Sequence, residues 1–304
     1  MTELTGFVPL AAESSSPLVG YYADPDLVHG ETGYVLAVTS DGHEAWGANE
    51  FHLFTSQDLV EWQDLGVVFD VRETGWAHGF AWAPAYLAHN GRHYLFFTAN
   101  RGEIGVAVAD EVGGPYIDSG RPLVAAEAFD GIAIDPSVFR DEDGSIVLYW
   151  GNGIAHAVRL DDDLLGFDPA SVVSWEPEEF REAIMVHRRG DRYYASWSAD
   201  DTRSPDYRVH YATGPTPFGP WEHRGIVLQK HPDRGIVATG HHSITNVLGT
   251  SDWVIAYHRF AIPGGDGYRR EVRFDRLHHR EDGLLDAVTP SQEPLRIPSP
   301  PRRK

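Results

Sequence analysis

Three acidic residues and a histidine stand at matching places in four separate stretches of the chain. They are Asp24 in ADPDLV, Asp135 in IDPSVFR, Glu182 in EAIMVHR and His241 in HHSITNV. If the fold brings the three carboxyl groups together, their repulsion raises their pKa values, which is costly unless the shift is used. Hydrolysis of a glycosidic bond uses such a shift, because it needs one protonated and one ionised carboxyl group, and a third acid can hold up the donor's pKa and orient it.

The residues around these positions belong to a unit that repeats five times. Each unit has a Gly or Asp turn followed by an aromatic-rich strand ending in a small polar residue, and units recur about every 45–60 residues, the range of propeller blades. One more strand lies upstream of each turn and two lie downstream. The five turn-and-strand segments are ETGYVLAVTS, HNGRHYLFFTA, DEDGSIVLYWG, RRGDRYYASWSA and GTSDWVIAYHR.

Five four-stranded antiparallel units predict an all-β fold, a five-bladed β-propeller over residues 19–292. We expect residues 1–18 to form an N-terminal extension and residues 293–304 a C-terminal tail. A β-sandwich seldom needs this length and a β-helix has shorter coils, so both fit less well. The first strand of each propeller blade lines the central channel. We therefore expect a ring of equivalent positions at one channel end, formed by Asp24, Ala83, Asp135, Glu182 and His241.

Composition narrows the range of partners. The 304 residues are 42% hydrophobic, enough for a large core, and include no cysteine, so neither disulfides nor thiolate metal sites can form. The net charge of −20 disfavours nucleic acids and anionic membranes and suits a neutral ligand such as a sugar, although acidity also promotes solubility. The N-terminal sequence lacks the features of a signal peptide, and no apolar run is long enough to span a membrane, so we expect a cytoplasmic protein.

The blocks ADPDL, WAPAYL, IDPSVFRDEDG, EAIMVHRRGDRYYASWSA and TGHHS resemble the signature blocks of glycoside hydrolase family 43, in order, over about residues 20–290. The resemblance implies a five-bladed propeller that removes arabinofuranosyl or xylosyl units from plant polysaccharides with inversion. It implies that Asp24 is the general base, that Asp135 modulates the acid's pKa and orients it, and that Glu182 is the general acid. The family often has glycine after that glutamate, where this chain has Ala183.

Further residues are candidates for contact with the sugar or a metal. Trp82, at the channel end of blade two, and Phe80 beside it offer flat faces for a sugar ring, and packing in the core is the alternative for both. By the resemblance, Arg270 matches an arginine that reaches the bound sugar, and His242 completes the expected substrate-binding set. His241 matches a histidine that holds a hydrated calcium or other ion on the channel axis of many members. A lone imidazole is a poor calcium site, so a neutral hydrogen-bonding histidine without metal is the alternative.

Other charged residues near these blocks have plainer interpretations. Glu178 and Glu179 precede the aligned strand and read as solvated loop charges. Asp26 lies on the same strand face as Asp24 and is either a partner of the catalytic acids or a structural residue. Arg259 in AYHRF is a weak candidate for sugar contact and reads better as a member of a surface ion pair.

The predicted activity is release of terminal α-L-arabinofuranosyl units from plant-polysaccharide oligosaccharides by an inverting exo-hydrolase. A β-D-xylosidase or a β-galactan-acting exo-enzyme of the same family is the alternative, and a non-catalytic sugar-binding propeller is more distant. The related sucrose- and fructan-cleaving propellers carry an Asn-Asp-Pro start, an Arg-Asp-Pro block and a Glu-Cys pair. This chain has Ala-Asp-Pro, Ile-Asp-Pro and no cysteine, which argues against them.

Overall fold

A computed structural model describes residues 16–30 and 33–295. Blade one contains β1 (Tyr22–Gly30), β2 (Gly33–Ser40), β3 (Glu50–Ser56) and β4 (Gln63–Asp70). Blade two contains β5 (Trp82–His89), β6 (Arg92–Ala99), β7 (Glu103–Ala109) and β8 (Ile117–Asp118). Blade three contains β9 (Ser137–Arg140), β10 (Ile146–Trp150), β11 (Ala155–Arg159) and β12 (Val173–Trp175). Blade four contains β13 (Glu182–Arg189), β14 (Arg192–Ala199), β15 (Arg208–Gly214) and β16 (Glu222–Leu228). Blade five contains β17 (Gly240–Asn246), β18 (Trp253–Phe260) and β19 (Arg270–Leu277).

These strands form five antiparallel sheets in chain order, which confirms the predicted five-bladed propeller. The helices among the described residues are short 3₁₀ turns, Glu44–Trp46, Val71–Glu73, Pro169–Ser171 and Pro232–Arg234. None of the helices described is long and apolar enough to cross a membrane.

Blade five differs from the predicted four-stranded unit, because its sheet has three strands within the described residues. The segment GLLDAV (residues 283–288) follows β19 where the predicted unit has its fourth strand, but it forms only isolated bridges. Leu285 pairs antiparallel with His279 just after β19, and Val288 forms a parallel bridge with Leu228 of β16 in blade four. The start of the described chain lies beside β19, where Ser16 Oγ donates to the carbonyl of Val272 at 3.3 Å. Leu18, assigned above to an N-terminal extension, is 3% exposed and packs in the core.

The apolar core is divided among the interfaces between blades. Five separate clusters of buried apolar side chains fill these interfaces, one between each pair of neighbouring sheets around the ring. Aromatic and β-branched residues on both faces of each sheet supply this packing, since an inner blade is covered on both sides. The hydrophobic effect therefore fixes the blades to one another and leaves the channel free for polar side chains.

A left-handed residue near the start of every first strand determines which side chains reach the channel end. The backbone φ angles are 52° at Asp24, 45° at Ala83, 58° at Asp135, 58° at Ala183 and 42° at His241. In blade one the pairing runs from Ala23 with Thr39 to Asp26 with Ala37, so the left-handed residue is an inserted bulge. The same irregularity occurs in blades two and four.

These angles correct the ring expected from sequence. The blade-four member of the equivalent positions is Ala183, and Glu182 lies one residue earlier, at the position that Ala23, Trp82, Ile134 and Gly240 occupy in the other blades. The catalytic candidates thus come from two adjacent positions of the bulge. A longer glutamate side chain at the earlier position and shorter aspartates at the later one both face the cavity described below.

The backbone N–H of each bulge residue faces a side chain at the end of the second strand of the preceding blade. The Ala83 nitrogen donates to Thr39 Oγ1 at 2.7 Å, the Asp135 nitrogen to Thr98 Oγ1 at 3.0 Å and the His241 nitrogen to Ser198 Oγ at 2.9 Å. The Asp24 nitrogen lies 3.2 Å from His258 Nδ1, which is also 3.0 Å from Asp24 Oδ1, so the tautomer of His258 decides which of the two contacts is a hydrogen bond. These polar contacts tie the ends of neighbouring blades together and hold otherwise unfavourable left-handed residues in place.

The junction between blades three and four is the exception. The corresponding position there is Gly151, whose φ is 133° and where a Cβ atom would collide with the carbonyl oxygen of Ile154. At this junction the Ala183 N–H acts on the Asp135 carboxyl group and lowers its pKa, against the larger rise caused by burial.

Candidate active site

The ring of bulges surrounds a cavity of about 260 Å³ at one end of the channel. Six of the eight site residues expected from sequence line it: Asp24, Asp135, Glu182, Trp82, Arg270 and His241. The other lining residues are Trp46, Arg101, Ile132, Ile134, Asn152, Arg181, Asp201, Thr202 and Arg203. The structure therefore brings together acids from blades one, three and four in one concave site.

Asp24 is held as a carboxylate chiefly by Arg270, with the rings of His241 and His258 beside it. Its Oδ1 atom lies 3.2 Å from Arg270 Nη1, 3.2 Å from His241 Nδ1 and 3.0 Å from His258 Nδ1. Burial on its own would raise the pKa of Asp24, but the Arg270 charge, helped by the two histidines, holds that pKa well below its ordinary value. No described side chain donates to Oδ2, so this oxygen is free to accept a proton.

Asp135 has the opposite environment. Burial, followed by the neighbouring charges of Glu182 and Asp24, raises the pKa of Asp135 well above its ordinary value. Its side chain is 7% exposed, and its buried Oδ2 atom has no hydrogen-bond partner among the described residues. When Asp135 is protonated, its O–H can donate to a hydroxyl group of a bound ligand.

Glu182 is also shifted toward the protonated form. Burial raises the pKa of Glu182, and the hydrogen bond from Tyr207 opposes part of that rise. Tyr207 Oη donates to Oε1 at 2.8 Å, and Asn152 Nδ2 donates to Oε2 at 2.9 Å. The site therefore contains one acid with a lowered pKa and two with raised pKa values, the division of roles that acid–base catalysis requires.

Two stacked rings connect the residues that contact Asp24 with those that contact Glu182. The Tyr207 ring lies 5.5 Å from the His258 ring at an interplanar angle of 10°. Tyr207 contacts Glu182, and His258 contacts Asp24. A Cβ atom at Gly240 would collide with the Tyr207 ring, so glycine in TGHHS leaves the space that this stack occupies.

Arg270 is fixed by a second acid outside the cavity. Its Nε donates to Asp41 Oδ2 at 2.8 Å and its Nη2 to Asp41 Oδ1 at 3.2 Å, a fork-to-fork pair. The remaining Nη1 reaches both Asp24 Oδ1 and Thr202 Oγ1 at 3.2 Å. The guanidinium is 4% exposed, so its charge acts on Asp24 with little screening by water.

His241 does not by itself form a calcium site. Its Nδ1 points at Asp24 Oδ1 at 3.2 Å, and burial lowers the pKa of His241, which favours the neutral ring. No three His, Asp or Glu side chains are grouped as metal ligands anywhere in residues 16–30 and 33–295. Calcium prefers six to eight oxygen ligands. The described residues therefore do not supply the oxygen ligands of a protein-bound calcium ion.

Aromatic side chains form one wall of the cavity. Trp82 Nε1 donates to the carbonyl of Trp46 at 2.7 Å, and the two rings meet at 80° with centroids 6.4 Å apart. Trp46 rests on Tyr268 at 4.6 Å and donates to the carbonyl of Gly267 at 2.8 Å. Both indoles line the cavity, and Phe80 lies behind them with its ring edge-on to Trp82 at 5.6 Å.

Two residues expected to contact the sugar lie outside the cavity. Phe80 supports Trp82, as described above. His242 is 4% exposed and its Nε2 lies 2.6 Å from Ser196 Oγ, because it is adjacent to His241 and its side chain leaves the strand on the other side. Burial lowers the pKa of His242 to about 3, so the ring is neutral and acts as a buried hydrogen-bonding residue.

Three further expectations have structural outcomes. Arg259 is not in a surface ion pair, since it is 0% exposed and pairs with buried Glu271 at 2.8 Å.

Asp26 lines a second cavity farther along the channel, and its Oδ2 accepts from the Tyr86 nitrogen at 2.7 Å. Burial raises the pKa of Asp26 to about 7. Glu178 and Glu179 have exposed side chains, as expected for loop charges.

Five residues that build the site were not singled out from the sequence: Asp41, Trp46, Asn152, Tyr207 and His258. Each lies outside the aligned starts of the first strands. His258 alone had a readable signal, because the ends of the second strands also repeat and Thr39, Thr98 and Ser198 occupy the same place in other blades. The remaining four come from loops or outer strands whose positions depend on packing between blades.

The bulge contacts make a prediction about Thr98. We expect Thr98→Val to leave the buried Asp135 N–H unpaired, which costs about 1–3 kcal/mol of unfolding free energy. Thr39→Val removes the same kind of acceptor from Ala83, which has no acidic side chain. Urea denaturation should show similar losses for both variants, whereas the activity proposed below should fall more in Thr98→Val. Equal activity in the two variants would contradict a role for this contact in placing Asp135.

The fold and the site together define the class of protein. A propeller whose axial cavity holds three buried acids with opposed pKa shifts is the arrangement of a glycoside hydrolase. The family model described as "Glycosyl hydrolases family 43" matches residues 16–285, and the chain belongs to that family. The family resemblance noted in the sequence is thereby confirmed.

Relatives with assigned activities act on several sugars. The chain is 25% identical to a xylosidase/arabinosidase of Bacteroides ovatus, over 84% of this chain and 88% of that protein. It is 29% identical to the β-D-galactofuranosidase xynD of Aspergillus niger, over 88% of this chain and 82% of that protein. A solved family 43 β-xylosidase/α-arabinofuranosidase from a compost metagenome, in complex with xylotriose and in a calcium-free form, superimposes with a TM-score of 0.79 at 25% identity. That alignment covers 92% of this chain and 98% of the other.

Proposed function

We propose that this protein is an inverting exo-hydrolase that releases terminal α-L-arabinofuranosyl units from oligosaccharides. The observation that carries the proposal is the opposed environment of Asp24 and Glu182 in one cavity, where Arg270 lowers the pKa of the first and burial raises the pKa of the second. The cavity volume of about 260 Å³ is below the roughly 300–1,000 Å³ of typical drug-sized ligand pockets, which suits one terminal sugar unit. Arabinosidase activity among the named relatives supports the choice of arabinose.

In the proposed reaction Asp24 is the general base. Its Oδ2 atom takes a proton from a water molecule while the water oxygen attacks the anomeric carbon. Oδ1 stays bound to Arg270 and close to the two histidines, so the carboxylate keeps its orientation as its charge is neutralised. Arg270 offsets the burial cost of the ionised Asp24, which keeps the base deprotonated at neutral pH.

Glu182 is the proposed general acid. It gives its proton to the glycosidic oxygen as the bond from that oxygen to the anomeric carbon breaks. The new bond to water forms on the opposite face, so the configuration inverts. Asp135, whose pKa is raised and whose Oδ2 atom has no partner among the described residues, is placed to hydrogen-bond a hydroxyl of the bound sugar. Because Asp135 and Glu182 repel each other when both are charged, ionisation of one raises the pKa of the other.

A β-D-xylosidase is the second candidate, because a solved relative holds xylotriose and the named relatives include xylosidases. A panel of 4-nitrophenyl glycosides separates the two: α-L-arabinofuranoside, β-D-xylopyranoside, β-D-galactofuranoside and β-D-galactopyranoside. We expect kcat/KM to be highest for the arabinofuranoside. A higher value for the xyloside would replace the first candidate by the second. Binding of these sugars without turnover would overturn the assignment of hydrolysis.

Tyr207 provides a test through pH dependence. Tyr207→Phe removes a hydrogen bond that lowers the pKa of Glu182, so that pKa should rise. The general acid must be protonated to act, so the alkaline limb of the kcat/KM profile should move to higher pH. The acidic limb, set by ionisation of Asp24, should stay in place. A control is Tyr194→Phe, a buried tyrosine of the same blade whose hydroxyl bonds to the Gly283 carbonyl. An alkaline limb that moves to lower pH would contradict the role of Glu182.

A further inference from the structure

One of the four arginines that line the catalytic cavity lacks an acidic partner. Arg181, Arg203 and Arg270 each have a carboxylate within 4.0 Å. No such ion pair involves Arg101 within residues 16–30 and 33–295, although its side chain lines the same cavity and is exposed. In a chain with a net charge of −20, a cavity cation without a partner carboxylate is able to pair with a charge brought by a ligand.

Arg101 is held in place despite its exposure. Its guanidinium carbon lies 4.0 Å above the centre of the Phe80 ring. This cation–π contact uses the face of the guanidinium, so the N–H groups at its edge remain available to a ligand as far as the described residues are concerned. The backbone turn at Asn100 and Arg101 is left-handed, with φ angles of 53° and 68°. The Asn100 side chain fixes this turn, accepting from the His78 nitrogen at 2.8 Å and donating to the Trp76 carbonyl at 3.2 Å.

The position of Arg101 relative to the acids indicates which part of a substrate it meets. Asp24, Asp135 and Glu182 are buried at the bottom of the cavity, and the sugar that is released must lie against them. Arg101 is exposed and shares the cavity with Ile132, whose side chain is also exposed, at 47%. The part of a substrate that extends outward from the buried acids is the leaving group. Arg101 therefore lies on the leaving-group side.

We propose that Arg101 binds a carboxylate on the leaving group, so that the enzyme prefers oligosaccharides with a hexuronic acid next to the released unit. A planar guanidinium pairs with a carboxylate through two parallel hydrogen bonds, whereas a neutral sugar offers hydroxyls that bind it more weakly. The exposed apolar side chain of Ile132 lies beside this charge and offers contact to the ring that carries the acid. This inference rests on the proposed glycosidase function.

The test compares two disaccharides that differ only in charge, an α-L-arabinofuranosyl glucuronic acid and its neutral primary amide. We expect kcat/KM to be about tenfold higher for the acid, equivalent to about 1.4 kcal/mol. Arg101→Gln should remove the preference by lowering kcat/KM for the acid about tenfold more than kcat/KM for the amide. Arg121→Gln makes the same change of charge at an exposed residue outside the cavity and should keep the preference. Added salt should reduce the preference of the wild type.

The possible results distinguish a failure of the proposed carboxylate preference from a failure of the glycosidase function on which it rests. Equal kcat/KM for the acid and the amide in the wild type would overturn it, and so would a preference that survives in Arg101→Gln. Hydrolysis of 4-nitrophenyl α-L-arabinofuranoside by the same preparations reports on the proposed function alone. If that glycoside and its xyloside counterpart are not hydrolysed, the glycosidase function fails first.

Discussion

Asp24→Asn is expected to lower kcat by about 10²–10⁴-fold while the protein stays folded, the range attributed to a positioned general base. The amide keeps the size of the carboxylate, and its oxygen can still accept from Arg270 Nη1, now 3.2 Å from Asp24 Oδ1. What it loses is the ability to take a proton from water. The measurement is steady-state hydrolysis of 4-nitrophenyl α-L-arabinofuranoside, with the thermal midpoint recorded for each variant.

The matched control for this variant is Asp26→Asn, which makes the same change two residues farther along β1 and outside the catalytic cavity. Its kcat should change far less. Azide needs no proton removed before it attacks, so it should partly restore turnover in Asp24→Asn and give an arabinosyl azide of inverted configuration. A variant that keeps wild-type kcat, or a loss of equal size in Asp26→Asn, would contradict Asp24 as the base.

Glu182→Gln should show a loss that depends on the leaving group. A general acid matters most when the departing oxygen is basic, so arabinosyl oligosaccharides should lose about 10²–10⁴-fold in kcat/KM. A 2,4-dinitrophenyl glycoside has a leaving group that departs without a proton and should lose much less. The same variant removes an acid whose pKa burial raises, so the alkaline limb of the pH profile should disappear.

Glu178→Gln is the control for that experiment. Glu178 is four residues upstream, its side chain is 64% exposed, and it lies outside the catalytic cavity. Its substitution should leave both classes of substrate unchanged. A loss in Glu182→Gln that is equal for the oligosaccharide and the dinitrophenyl glycoside would assign Glu182 a role in binding or folding in place of proton donation.

The fold could be predicted because its information is local and repeated. Each blade contains the same order of turn and strand, and the turn residues and alternating apolar strands are visible in the sequence alone. The acids of blades one, three and four could be placed at one channel end for the same reason. The fifth blade was less predictable, since GLLDAV forms one bridge to His279 of its own blade and one to β16 of the neighbouring blade, and the second depends on packing between blades.

The exact ring of positions could not be predicted from sequence. A left-handed bulge residue shifts the register by one, and in blade four that residue is Ala183, so Glu182 belongs to the preceding position. Alanine seldom adopts a positive φ, so nothing in the sequence marks Ala183 as the bulge residue. In the structure its N–H acts on the Asp135 carboxyl group. Aligning the acids by sequence therefore grouped residues that do line one cavity, but from positions that differ by one.

Partners of the acids were harder to predict than the acids themselves. Asp41 and Tyr207 lie in loops that follow β2 and β14, and nothing in their local sequence marks them as neighbours of Arg270 and Glu182. Arg259 was placed at the surface because a charged side chain is seldom buried. Its partner Glu271 lies on β19, across from β18, and the buried pair forms only once those strands are adjacent.

The most direct measurement is ¹H NMR of the sugar that first appears during hydrolysis of an α-L-arabinofuranoside, recorded before mutarotation. With Asp24 activating a water molecule and Glu182 protonating the leaving oxygen, the first product should be the β-anomer. Release of the α-anomer would mean that a carboxylate attacks the sugar directly, and it would contradict the assignment of Asp24 as a base.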